Sequence, residues 1–81
     1  ERARLDLDIA LRRLDMASVR RELTADNLRL AEKSFALGES DLPTLLRVRA
    51  VAFDAEALLN RQQVARAAAQ SRLKQALGVL P

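Results

Sequence analysis

Cysteine and histidine are absent from these 81 residues, and glycine, proline and aromatic side chains occur only twice each. Without cysteine there is no disulfide framework, zinc ribbon or thiol chemistry. Without histidine the commonest general base and the commonest transition-metal ligand are missing. Two glycines and two prolines leave too little turn punctuation for a sandwich, a barrel or any loop-rich fold. No apolar run approaches the roughly 20 residues of a membrane-spanning helix. The Asp and Glu residues sit at helical spacings expected of solvated faces, so an enzyme is not expected. Glu39 and Asp41 are too few oxygen ligands for a metal site without symmetry copies. No catalytic residue, cofactor or metal is therefore expected. A chain of about half the usual domain length is expected to be one unit at most, and a piece of something larger.

What is present is charge and apolar surface in helical order. Hydrophobic residues make up 49% of the chain, and 14 Lys and Arg stand against 11 Asp and Glu. Residues 57–81 carry four basic side chains, Arg61, Arg66, Arg72 and Lys74, and no acid. A nucleic-acid surface would want a continuous basic stripe or stacking aromatics, and the sequence offers neither. Cations toward the end of a helix suit its dipole, the simpler reading of this region.

One stretch interrupts the helical pattern, Gly38-Glu39-Ser40-Asp41-Leu42-Pro43. Gly38 can adopt the left-handed conformation that ends a helix. Ser40 or Asp41 can cap the next helix, and Pro43 suits its first turn. Gly78, followed by Val79-Leu80-Pro81, reads as a second stop. The sequence predicts an all-α fold, a single antiparallel α-hairpin over 1–81. Its helices span about 2–37 and 43–77, with a tip turn at 38–42. Residues i and j should face each other where i + j is near 80, which sets Asp6, Asp8 and Asp15 near Lys74, Arg72 and Arg66.

Projected at about 100° per residue, each helix has two apolar stripes on roughly opposite sides. In the first helix one is Leu5, Ile9, Met16, Val19, Leu23, Leu30 and Leu37, and the other is Leu7, Leu11, Leu14, Ala25, Leu28 and Phe35. In the second, Leu45, Val48, Ala52, Leu59 and Leu73 form one seam and Leu46, Phe53, Ala57 and Val64 the other. Polar strips run between them. A two-helix coiled coil needs one seam per helix. Two stripes imply two neighbours, as in a ring of helices with a wet interior or a four-helix bundle of two hairpins. The pattern alone leaves both open. Alanines at 50, 52, 55, 57, 65, 67, 68, 69 and 76 would permit close helix approach in either. A hairpin of this size without a compact core is expected to self-associate.

Two runs carry a resemblance. Ala31-Glu32-Lys33-Ser34-Phe35-Ala36-Leu37-Gly38-Glu39-Ser40-Asp41-Leu42 leads into Leu45-Leu46-Arg47-Val48-Arg49-Ala50, and Arg72-Leu73-Lys74-Gln75-Ala76-Leu77-Gly78-Val79-Leu80 closes the chain. This resembles the last long α-hairpin of the TolC-like outer-membrane efflux proteins. In them an aromatic residue followed by x-x-Gly marks the periplasmic turn, a Leu-Leu pair opens the returning helix, and Ala-Leu-Gly closes it. The similarity covers essentially the whole chain, although the first thirty residues match mainly in pattern. Leu-Gly-Glu-x-Asp-Leu followed by Leu-Leu-Arg looks most like the heavy-metal efflux branch.

The resemblance implies a trimer with a β-barrel in the outer membrane of a Gram-negative bacterium and a twelve-helix tunnel through the periplasm. The present chain would be part of that tunnel, without the signal peptide, barrel strands or other hairpin. It favours the ring over the bundle. It also implies that Leu37, Gly38, Glu39, Ser40, Asp41 and Leu42 meet a periplasmic adaptor protein linked to an inner-membrane pump. Gly38 would make the turn, Leu37 and Leu42 would offer apolar contacts, and Glu39, Ser40 and Asp41 polar contacts or caps. Helix capping is the simpler role for Asp41, and seam packing for Phe35.

Phe35, Thr44 and Arg47 would lie at the channel mouth. Many drug-exporting relatives carry acidic residues where this chain has Thr44 and Arg47. A threefold ring of Arg47 would repel small cations, at odds with metal export, unless Arg47 pairs with a neighbouring acid or Glu39 and Asp41 supply the negative field. Two other readings fit the pattern. One is the α-hairpin of the adaptor itself, although its tip usually carries a different arginine- and leucine-containing motif. The other is a cytoplasmic antiparallel coiled coil that dimerises into a bundle, with no function for residues 37–42.

Overall fold

The computed structural model describes residues 2–78. Two helices of 35 residues, α1 (Arg2–Ala36) and α2 (Leu42–Ala76), fold back on each other as an extended all-α hairpin. It measures 60 × 16 × 14 Å. At about 1.5 Å per residue each helix accounts for about 52 Å of that length. The thickness is that of a single layer of helices, so there is no interior beyond the line where they touch.

That line follows a heptad spacing. On α1 it runs through Leu7, Ala10, Leu14, Ala17, Thr24, Leu28 and Ala31, with the exposed Arg21 filling the step between Ala17 and Thr24. On α2 it runs through Leu45, Val48, Ala52, Ala55, Leu59, Gln62, Arg66, Ala69 and Leu73. Alternating steps of three and four keep one stripe of each helix against its partner. The buried members are small: Ala10, Ala17 and Thr24 on α1, and Ala55 and Ala69 beside Leu45 and Leu59 on α2. Ala55 and Ala69 are each only 1% exposed, and their short side chains let the two backbones approach closely. Thr24 tolerates burial because its hydroxyl donates to the carbonyls of Arg20 (2.9 Å) and Arg21 (3.1 Å).

The outer stripes have no partner within the hairpin. Leu5, Ile9, Met16, Val19, Leu23, Leu30 and Leu37 of α1 are all exposed, as are Leu46, Phe53, Ala57 and Val64 of α2. Both stripes lie roughly opposite the seam, so they form the two long edges of the layer. On the expected inner side of α1, Leu7, Leu14, Ala25 and Leu28 are half-buried, but Leu11 and Phe35 remain exposed. Leu11 lies at the flank of the seam and Phe35 at its tip end.

Two inter-helix ion pairs mark the antiparallel register, Arg21 with Glu56 at 3.6 Å and Glu32 with Arg49 at 3.8 Å. Their residue numbers sum to 77 and 81, close to the expected offset. The acidic residues near the start of α1 do not pair as the sequence suggests. Asp6 and Arg72 line one groove without an ion pair, while Asp15 lines the opposite groove with Leu59 and Gln63. Arg66 takes a seam position instead, half-buried, with its Nε lacking a hydrogen-bond partner. A one-residue change of face on a helix moves a side chain by about 100°, so matching level did not ensure matching side.

Candidate functional site at the hairpin tip

The turn is built by three local devices. Gly38 adopts φ +74°, the left-handed conformation that L side chains resist. Its amide donates to the carbonyl of Phe35 (3.0 Å), and the next amide, Glu39, reaches back to Ser34 (2.8 Å). This nested pair is the Schellman arrangement, which satisfies carbonyls that the end of α1 would leave open. A Cβ added at Gly38 would meet nothing within 4 Å, so glycine is required there for torsion and not for space.

Asp41 then caps α2. Its backbone is extended (φ −93°, ψ 166°), and its Oδ1 accepts the backbone amide of Thr44 at 3.0 Å. Pro43 occupies the first turn, where no amide donor is lost. Ser40, the other candidate cap, is half-buried and its Oγ lacks a hydrogen-bond partner. Between the two, the carboxylate wins because a charged acceptor binds helix N-terminal amides more strongly than a neutral hydroxyl.

Arg47 joins this cap through Thr44. Its Nη2 donates to the Thr44 Oγ1 at 3.3 Å, with no direct ion pair to an acid among the described residues. The Thr44 hydroxyl and amide hold the Asp41 carboxyl below its ordinary value of 3.8, and the nearby Arg47 guanidinium adds to the effect. Asp41, Thr44 and Arg47 thus form one polar chain along the first turn of α2.

Around that chain the tip is apolar and open. Phe35, Leu37, Leu42 and Leu46 are all exposed, whereas Leu45, the other half of the Leu-Leu pair, turns into the seam and is buried. The structure therefore gathers Leu37 and Leu42 with Gly38, Glu39, Ser40 and Asp41 in one short cap. It sets Thr44 and Arg47 on the returning helix. Four exposed apolar side chains over a hydrogen-bonded turn can make a contact surface. Among the described residues no group of three or more acidic, histidine or cysteine side chains could hold a metal ion. Among the described residues no helix is long and apolar enough to cross a membrane. The closing motif Ala76-Leu77-Gly78 ends α2 with a second left-handed glycine, Gly78 at φ +75°, while Val79, Leu80 and Pro81 lie outside the described residues.

The sequence reading missed the seam alanines of α1, Ala10 and Ala17, and the buried Thr24. Their signal was the three-four spacing that links them to Leu7, Leu14 and Leu28. Small side chains add little to an apolar stripe when residues are ranked by hydrophobicity. Comparison with protein-family models, curated proteins and solved structures finds no significant match.

Proposed function

We propose that this hairpin is a wall element of an outer-membrane efflux conduit, of the kind the TolC-like resemblance implies, and that its tip docks a periplasmic adaptor. The observation that carries this reading is the placement of the two unpartnered apolar stripes on opposite edges of a one-layer hairpin. Such edges call for a neighbouring helix on each side, and heterologous contacts of that kind close into a ring or continue as an open array. A four-helix bundle of two hairpins needs both helices to present apolar surface to the same side. Here the stripes point apart and the side faces carry charge. That arrangement favours a wall over a bundle and weakens the reading as a self-associating cytoplasmic coiled coil.

In this function the hairpin is a passive element. Energy comes from an inner-membrane pump, and opening is a shift in helix packing at the tip. The trimeric state, the periplasmic location and the adaptor partner belong to the same proposal. Phe35, Leu37, Leu42 and the Gly38 turn supply the docking surface, and Thr44 with Arg47 lies at the mouth.

The test is export in cells that carry the full-length protein with tip substitutions. Leu42→Glu places a charge on an exposed apolar side chain and leaves the seam untouched. Gly38→Pro forbids the left-handed torsion and deletes the amide donated to Phe35. Both are expected to abolish export while trimers still assemble. Unchanged export in the Leu42→Glu variant, with assembly intact, would overturn docking at this tip.

A further inference from the structure

The two broad faces of the hairpin differ in charge, and the difference is visible only once the helices are paired. On one face, the grooves are lined by Arg21, Arg29, Glu32 and Glu56, with Arg12 and Asp15 farther along. All three ion pairs of the described residues belong to this side: Arg21 with Glu56, Glu32 with Arg49, and Arg29 with Asp26. Its charges neutralise one another.

The opposite face holds Arg13 and Arg72 in one groove and Arg20 and Arg61 in the next, with only Asp6 and Asp54 among them. Arg47 belongs to the same face. It precedes Asp54 and Arg61 at steps of seven, just as Thr44 precedes Val51, Leu58, Ala65 and Arg72. Five arginines thus stand against Asp6 and Asp54, with Asp41 near Arg47 at the tip, and none of the five enters an ion pair among the described residues. From the level of Arg47 to that of Arg72 they extend over about 38 Å of helix. At paired levels summing to about 79, the arginines from Arg20 to Arg72 lie roughly 3–9 Å apart along the axis, and roughly 18 Å separates Arg47 from Arg20, with Asp54 between them. Four of the five thus lie within about one screening length, about 8 Å at physiological ionic strength, of a neighbour, and their fields merge into a band, while Arg47 stands apart toward the tip.

Charges on an ordinary solvated face are usually balanced by neighbours of opposite sign, as they are on the other side of this hairpin. A net cationic band along one side raises the local concentration of anions and excludes cations. The exposed phenylalanines add no stacking platform to it, since Phe53 lines the opposite groove and Phe35 sits at the tip. We propose that the Arg13, Arg20, Arg47, Arg61 and Arg72 face lines the conduit and makes it selective for anions, so that its cargo is drawn from negatively charged solutes and not from metal cations. This inference rests on the proposed function, which places Thr44 and Arg47 at the mouth, and carries that side down the wall.

The experiment is a reversal-potential measurement on the full-length protein in planar lipid bilayers under a potassium chloride gradient. The expected result is a chloride-over-potassium permeability ratio above one, falling at least roughly threefold toward unity in the Arg20→Gln/Arg61→Gln double variant. Glutamine preserves helix propensity, and trimer assembly checks that the variant folds. Arg12→Gln, on the other face, should leave the ratio unchanged. Raising the salt to about 1 M, where the screening length falls to about 3 Å, should also weaken selectivity. A conducting but cation-selective or non-selective wild type would overturn this inference while leaving the conduit standing. Anion selectivity that survives the double variant would also overturn it, because another surface would then line the pore. No conductance at all from correctly assembled protein would overturn the conduit and this inference together.

Discussion

The inner and outer apolar stripes of α1 have opposite characters. The stripe against α2 alternates leucine with alanine and buries Ala10, Ala17 and Thr24, whereas the stripe facing away is built from Leu5, Ile9, Met16, Val19, Leu23 and Leu30. Met16 is 67% exposed and Leu23 60%. The helix therefore keeps its larger side chains for a neighbour outside the hairpin and uses its small ones to bring α2 close. Burial stabilises in proportion to apolar area removed from water, so the greater part of the available stabilisation lies at the edges.

That contrast can be broken most severely at the outer edge. Met16→Glu, Leu23→Glu and Leu30→Glu together should abolish self-association in sedimentation equilibrium. They should also remove the dependence of Tm on protein concentration that binding between copies imposes. A wild-type Tm independent of concentration would show instead that the edges need no partner.

The seam is expected to respond next. Leu59→Ala should lower stability by about 2 kcal/mol or more, through lost burial and the cavity left behind. Ala55→Leu should cost about 1–3 kcal/mol by forcing the backbones apart. Thermal or denaturant unfolding at matched concentration reads both, and a neutral Ala55→Leu would mean that close approach is not what holds the hairpin.

Smaller effects belong to the tip, where both stripes end. Gly38→Ala should cost about 1–2 kcal/mol, from torsion alone because the added Cβ has open space. Gly38→Asn should recover part of that loss, since asparagine visits the left-handed region more readily.

Asp41→Ala should give the smallest loss, with helicity near the tip reduced in amide exchange. The cap also predicts a pH dependence. Because the folded-state pKa of Asp41 is lowered, its contribution is fully present above the ordinary value of 3.8 and is lost as pH falls through the lowered folded value. Asp41→Asn keeps a capping oxygen but should remove that acid-side slope; an unchanged slope would assign it to other carboxylates.

Much of this was legible in the residues because it is local. Gly38, Asp41 and Pro43 act within a few residues of themselves, so their order marked the turn and the start of α2 before any packing was known. The double striping of each helix was equally readable from spacing. Which stripe would turn inward was not, because both are apolar and a helix alone has no preference between them. Ala10 and Ala17 escaped notice for a related reason: a small side chain matters for the distance it permits, and that has meaning only when a second helix lies beside it. Nor did the charges near the open end pair by level, since Asp6 and Arg72 share a groove without an ion pair while Asp15 lines the other groove.

By itself the sequence determined that this protein is two long helices joined by a turn at Gly38, with apolar surface to spare on each. Torsional preference, capping and periodicity act over one or two turns of chain and need no partner to be expressed. The tertiary structure decided which apolar stripe was buried, where the unpartnered edges lie, and that five arginines from two helices share one face. Those outcomes depend on the rotation of each helix about its axis, which only the close fit of small side chains along the seam sets.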